Sequence, residues 1–141
     1  MHRLFLDTNI ILDFLGERQP FYSSAAQLLT LADRKKIKIF TSPTSISNAH
    51  YILFKYESGK AALKKITKFR VLCEVSVMDK EVVDKAILAD FRDFEDAMQY
   101  FSALAAKCDT IITRNEKDFK NGLLPVMDAA HFLTVFNSKS S

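Results

Sequence analysis

Apolar residues along this chain alternate between two kinds of run, and the changes divide it into strands and helices. Within residues 3–6, Leu4, Phe5 and Leu6 are apolar at consecutive positions, as a strand buried on both faces requires. Ile10, Ile11, Phe14 and Leu15 then recur at helical spacing, which predicts a helix over 9–15 with Thr8 as its N-cap and Gly16 at its end. Gln19-Pro20 marks a break before a second helix, whose apolar positions are Phe21, Ala25, Leu28, Leu29 and Ala32. Residues 37–41 predict a second strand, and Ser42-Pro43 leads into a helix through Ile46, Ala49, His50, Leu53 and Phe54. Ser58-Gly59 separates that helix from one carrying Ala62, Ile66 and Phe69 on one side.

The second half repeats the alternation. Residues 71–77 read as a third strand, Asp79 caps a helix with Val82, Val83, Ala86 and Ile87, and another helix runs from about 94 to 107. Residues 109–113 give a fourth strand and 125–127 a short fifth, after which Asp128 caps a terminal helix. Strands alternating with helices predict a three-layer α/β/α architecture around a mostly parallel sheet of four to five strands. Residues 1–136 are expected to form one domain, with 137–141 as a flexible tail.

Composition adds limits. A chain of 141 residues with 48% hydrophobic and 26% charged residues can bury a core without disulfides or structural zinc. Cys73 and Cys108 lie far apart in apolar contexts and read as buried thiols in a reducing compartment. No apolar run approaches a membrane span and no secretory segment is evident, so the expected location is the cytoplasm, without a membrane partner. The net charge of +3 says little unless the acids are gathered in one cleft, which leaves the remaining surface more positive.

The acids do fall in a pattern. Asp7 ends the first strand, where open α/β sheets build their sites. Asp93, Glu95 and Asp96 open a later helix, and Thr113-Arg114-Asn115-Glu116-Lys117-Asp118-Phe119 follows the fourth strand. Carboxylates gathered at one sheet edge repel one another unless a cation neutralises them, and hard oxygen donors of this kind suit Mg²⁺ or Mn²⁺. Each acid also has a structural reading. Asp7 can cap the helix after it, Asp93 can cap its own helix, Glu95 can be a solvated first-turn acid and Asp118 a turn residue. The three histidines lack ligand or triad spacing.

Asp7-Thr8-Asn9, Asp93-Phe94-Glu95-Asp96-Ala97 and Thr113 to Phe119, in that order, resemble the PIN domain pattern, and VapC-type toxin nucleases in particular. The resemblance implies an acidic pocket that binds Mg²⁺ or Mn²⁺ and hydrolyses RNA phosphodiester bonds. It assigns Asp7, Asp96 and Asp118 as catalytic, the same three with Asn115 as metal ligands, and Thr113 as a supporting hydroxyl. Asp93 and Asn48 are further candidates, Asn48 standing where the family carries its second acid. Asn48 and Asn115 each remove one negative charge, so the site rests on the three aspartates. The resemblance further implies an antitoxin partner and a homodimer.

Arg114 is the expected RNA contact. Lys60, Lys64 and Lys68 form a stripe at i, i+4 and i+8 that reads first as a solvated face and second as phosphate contacts. Two other functions remain open at this point. A weakly active or inactive PIN domain that binds RNA or protein would account for the two amides. A phosphotransferase of the haloacid-dehalogenase type expects a second Asp where Asn9 stands.

Overall fold

A computed structural model describes residues 1–140; Ser141 lies outside the described residues. Strand β1 (Arg3–Leu6) is the centre of the molecule, with Leu4, Phe5 and Leu6 each shielded from solvent. Beside it lie β2 (Lys38–Thr41) and β4 (Thr110–Ile112), and outside these β3 (Cys73–Val75) and β5 (Val126–Met127). The order is β3-β2-β1-β4-β5, and every pairing is parallel. Leu4 pairs with Ile39 on one side and Thr110 on the other.

Alternation along β1 divides the core in two. Leu4 and Leu6 join Ile39 and Ile112 in a cluster with residues of α1 (Thr8–Leu15), α2 (Tyr22–Asp33), α3 (Pro43–Phe54), α4 (Gly59–Leu72) and α7 (Ala129–Ser140). Phe5 points the other way, joining Phe40, Ile111 and Phe119 with Tyr100 and Ala103 of α6 (Phe94–Ala105). Helix α5 (Lys80–Leu88) packs on α6. The three-layer α/β/α architecture expected from the sequence is present, with five strands and a wholly parallel sheet. Both cysteines are buried thiols, and burial pushes Cys108 up to about 12 and Cys73 higher still.

Side-chain caps set most helix starts. Ser42, Ser58, Asp79, Asp93 and Asp128 each accept a backbone N–H three residues on. The expected cap of α1 is corrected: Thr8 is its first helical residue, and Asp7 occupies the N-cap. Strand β3 is shorter than expected because α4 runs on through Leu72. A 3₁₀ turn at Glu116–Phe119 is not foreshadowed by apolar periodicity. Helix α7 continues through residues 137–140, where the sequence alone led to the expectation of a tail.

A buried polar chain ties the sheet's C-terminal edge to α6. Thr41 Oγ1 donates to the Leu6 carbonyl at 2.8 Å, Ser76 Oγ donates to the Thr41 carbonyl at 3.2 Å, and Ser76 and Ser102 share a 2.5 Å hydrogen bond. Ser42, the cap of α3, donates to Gln99 of α6. These bonds fix the helix bearing Asp96 against the strand that ends at Asp7.

Candidate active site

From β1 the chain passes to β2 on one side, and β4 lies on the other, so the sheet's switch point falls at the C-terminal ends of β1 and β4. An open cleft of about 590 Å³ lies there. Asp7, Asp96, Asp118, Asn48, Asn115 and Arg114 all border it. These residues come from the ends of β1 and β4, from α3, from α6 and from the 3₁₀ turn, and the fold brings them together.

Asp7 is half-buried and held at both oxygens. Its Oδ1 accepts the Thr8 N–H at 2.8 Å and its Oδ2 accepts the Thr113 hydroxyl at 2.8 Å. Thr113, fully buried, also accepts from Asn9 Nδ2 at 3.2 Å and from the Asn115 N–H at 3.0 Å. The Thr113 hydroxyl therefore ties Asn9 and the Asn115 backbone to Asp7. Burial raises the Asp7 carboxyl above its ordinary range. The Thr113 and Thr8 hydrogen bonds offset part of that rise, while the charges of Asp118 and Glu95 add to it.

Asp96 opens α6, where its backbone N–H is capped by Asp93 Oδ1 at 3.0 Å. Burial, then the charges of Asp118, Asp93, Asp7 and Glu95, push the Asp96 carboxyl up to about 7. Asp93 thus serves α6 as a cap and does not border the cleft. Asp118 is half-buried in the 3₁₀ turn, its N–H bonded to the Asn115 carbonyl at 3.0 Å.

Three arrangements were not legible in the sequence. Glu95 borders the cleft and accepts from Asn48 Nδ2 at 2.9 Å, so the amide helps position a carboxylate from the opposite helix. Asp13, only 1% exposed, binds Arg18 at 3.0 Å and Arg114 at 2.9 Å. Arg114 also lies 3.9 Å over the Phe21 ring, and its N–H reaches Asn9 Oδ1 at 3.3 Å. The arginine expected to contact RNA is therefore already engaged, through two bonds to Asp13. Finally, Arg18, Tyr51 and Lys55 border the same cleft. Lys60, Lys64 and Lys68 are solvent-exposed on α4.

The donors facing the cleft are carboxylate and amide oxygens, the hard set that Mg²⁺ and Mn²⁺ prefer. Among the described residues no group of three or more His, Cys, Asp or Glu side chains is arranged so that it could hold a metal ion as it stands. An open arrangement is compatible with Mg²⁺, which keeps several waters and takes only one or two carboxylates. Burial first and then mutual repulsion raise Asp96, and the repulsion is the kind a bound cation relieves.

Comparison with known proteins gives a consistent result. A family model described as PIN domain matches residues 3–117. Ribonuclease VapC1 of Aquifex aeolicus (strain VF5) is 28% identical, with 96% of each chain covered. Among solved structures, VapBC2 from Rickettsia felis, bound there to a DNA fragment from their promoter, aligns with a TM-score of 0.66 at 18% identity, covering 89% of this chain and 98% of that one. The sarcin-ricin loop cleaving toxin VapC20 of Mycobacterium tuberculosis aligns with a TM-score of 0.59 at 15% identity, covering 77% and 86%. At these identities the two structures speak for the fold alone.

Proposed function

Because this chain belongs to the PIN domain family, we propose that it is a divalent-metal-dependent endoribonuclease of the VapC type, acting in the cytoplasm as the toxin of a toxin–antitoxin pair. The observation that carries the chemistry is the convergence of Asp7, Asp96 and Asp118 at one cleft, with no cationic side chain paired to any of them among the described residues. Among those residues no helix is long and apolar enough to cross a membrane. An antitoxin and a second copy of the chain are the proposed partners, and exposed apolar side chains such as Phe54, Leu63, Leu88 and Leu123 are available for such contacts.

In this reading Asp7, Asp96 and Asp118, with the Asn115 amide oxygen, hold Mg²⁺ or Mn²⁺. A bound ion supplies charge neutralisation at the phosphate and a water of lowered pKa. Thr113 and the Thr8 N–H keep the Asp7 carboxylate in one orientation. Burial and the neighbouring carboxylates hold the Asp96 carboxyl at about 7, so without a cation it is about half protonated at neutral pH. Glu95, steadied by Asn48, adds negative charge on the α6 side.

The test is cleavage of single-stranded RNA by the purified protein in Mg²⁺, Mn²⁺ and EDTA. Activity is expected only with metal, and Asp7→Asn is expected to lower it about 10³-fold. Full activity in EDTA, or in Asp7→Asn, would refute the reading. The amides at Asn48 and Asn115 favour one other reading, an RNA-binding or protein-interaction module without turnover. Metal-dependent RNA binding without any product would select it.

A further inference from the structure

One wall of the cleft differs from the rest. Asn48, Tyr51, Ile52 and Lys55 stand at i, i+3, i+4 and i+7, from the middle of α3 to its C-cap, and border the cleft together. Asn48 meets Glu95 at the acidic end, and Lys55 stands about 10 Å farther along the helix axis. Tyr51 is 62% exposed, a large ring left in water beside a charged pocket. The Lys55 ammonium sits 4.6 Å from the centroid of that ring. Among the described residues Lys55 forms no ion pair, whereas Arg18 and Arg114 are both held by Asp13.

We propose that Tyr51 and Lys55 form a subsite for one nucleotide of a single-stranded RNA, next to the phosphodiester bond held at the acids. Tyr51 provides the ring on which a base stacks, and Lys55 provides a cation for the adjoining phosphate. The chemistry favours a nucleic-acid strand because it presents an aromatic face and an anion in alternation, matching a ring and an ammonium one helical turn apart. The three acids repel phosphate, so a strand entering the cleft gains from a cation beyond them. This subsite rests on the ribonuclease reading and adds to it the wall along which the strand runs. It also moves the RNA contact from Arg114, which Asp13 occupies, to Lys55.

The test is binding of a short, labelled single-stranded oligoribonucleotide by fluorescence anisotropy, with Ca²⁺ in place of Mg²⁺, for wild type, Tyr51→Ala, Tyr51→Phe and Lys55→Gln. All three substitutions are at exposed positions and leave the core intact. Tyr51→Ala is expected to weaken binding about tenfold, and Tyr51→Phe to stay within about twofold of wild type. Lys55→Gln is expected to reduce the slope of log affinity against log salt by about 0.7. The proposal is overturned if wild type does not bind the strand, if Tyr51→Ala binds like wild type, if Tyr51→Phe is as weak as Tyr51→Ala, or if the salt slope is unchanged in Lys55→Gln. Loss of a protein partner by Tyr51→Ala with RNA affinity intact would likewise overturn it, reassigning the face to protein docking. A wild type that cleaves RNA while Tyr51→Ala keeps its KM removes the subsite and leaves the ribonuclease. Tyr51-dependent binding without metal-dependent cleavage does the reverse.

Discussion

Asp7 caps one short helix and Asp13 lies within it, and the fold treats their charges in opposite ways. Asp13 is shielded almost completely, and two arginines, one from the loop after α1 and one from beyond β4, close on its carboxylate. Asp7 is less buried, yet it receives only a hydroxyl and a backbone amide, and the charges nearest it are negative. A carboxylate that serves the scaffold is neutralised from within, because leaving it uncompensated costs several kcal/mol. One that is oriented but not neutralised is set up for a cation from outside. The contrast separates structural from functional acids on a helix too short for position alone to do so.

Removing the internally neutralised acid should have the largest effect on stability. Asp13→Ala leaves Arg18 and Arg114 without their carboxylate and should cost about 3 kcal/mol in chemical denaturation. A cost below about 1 kcal/mol would mean that both arginines simply turn to solvent, and the contrast would fail on that side. Thr113→Val should come next, at about 1–2 kcal/mol, because the Asn9 amide and the Asn115 N–H lose their acceptor and Asp7 loses one of its two donors. The same variant should bind Mn²⁺ about tenfold more weakly by titration calorimetry, the usual scale for groups that orient a ligand.

Asp7→Asn should move stability the other way. Folding raises the Asp7 pKa, so the native state disfavours the charge, and the neutral amide should raise Tm slightly in EDTA at neutral pH. A lowered Tm would show that Asp7 matters mainly as the cap of α1. A further effect is on pH. Asp96 has an ordinary pKa of 3.8 and about 7 in the fold. Between those values the native state keeps a proton that the unfolded chain has lost, so this group withdraws stability as pH rises towards 7, with no further loss above. In EDTA the Tm of wild type relative to Asp96→Asn should therefore fall between about pH 4 and 7. Mg²⁺ should restore it chiefly at the alkaline end. A difference that does not change with pH would count against the clustered charges.

Much of the fold was legible because a strand buried on both faces and an amphipathic helix leave different periods. Leu4 to Leu6, and the acids and amides at element ends, could therefore be placed near one sheet edge in advance. Asp13 could not be assigned that way. Between Leu12 and Phe14 it occupies what reads as the polar side of α1, and its partner Arg114 lies 101 residues away. The Asn48–Glu95 bond spans 47 residues and depends on the approach of α3 to α6, which local pattern does not encode. The anchoring of Arg114 is hidden for the same reason: its neighbours in sequence are pocket residues, while its guanidinium is held by Asp13. Tyr51 reads as one more helix residue until the cleft beside it is seen.

Strand β1 sends Leu4 and Leu6 into one core and Phe5 into the other, and Asp7 comes immediately after them. Length in this segment is therefore under two constraints at once. Inserting or deleting one residue would exchange the leucine and phenylalanine positions between layers of different shape. It would also carry the carboxylate away from Thr113 or draw it towards the interior. Tolerance to substitution and tolerance to a change of length should thus diverge here: Leu4 can give way to another aliphatic side chain, but the count of residues from Arg3 to Asp7 cannot change without losing both packing and site.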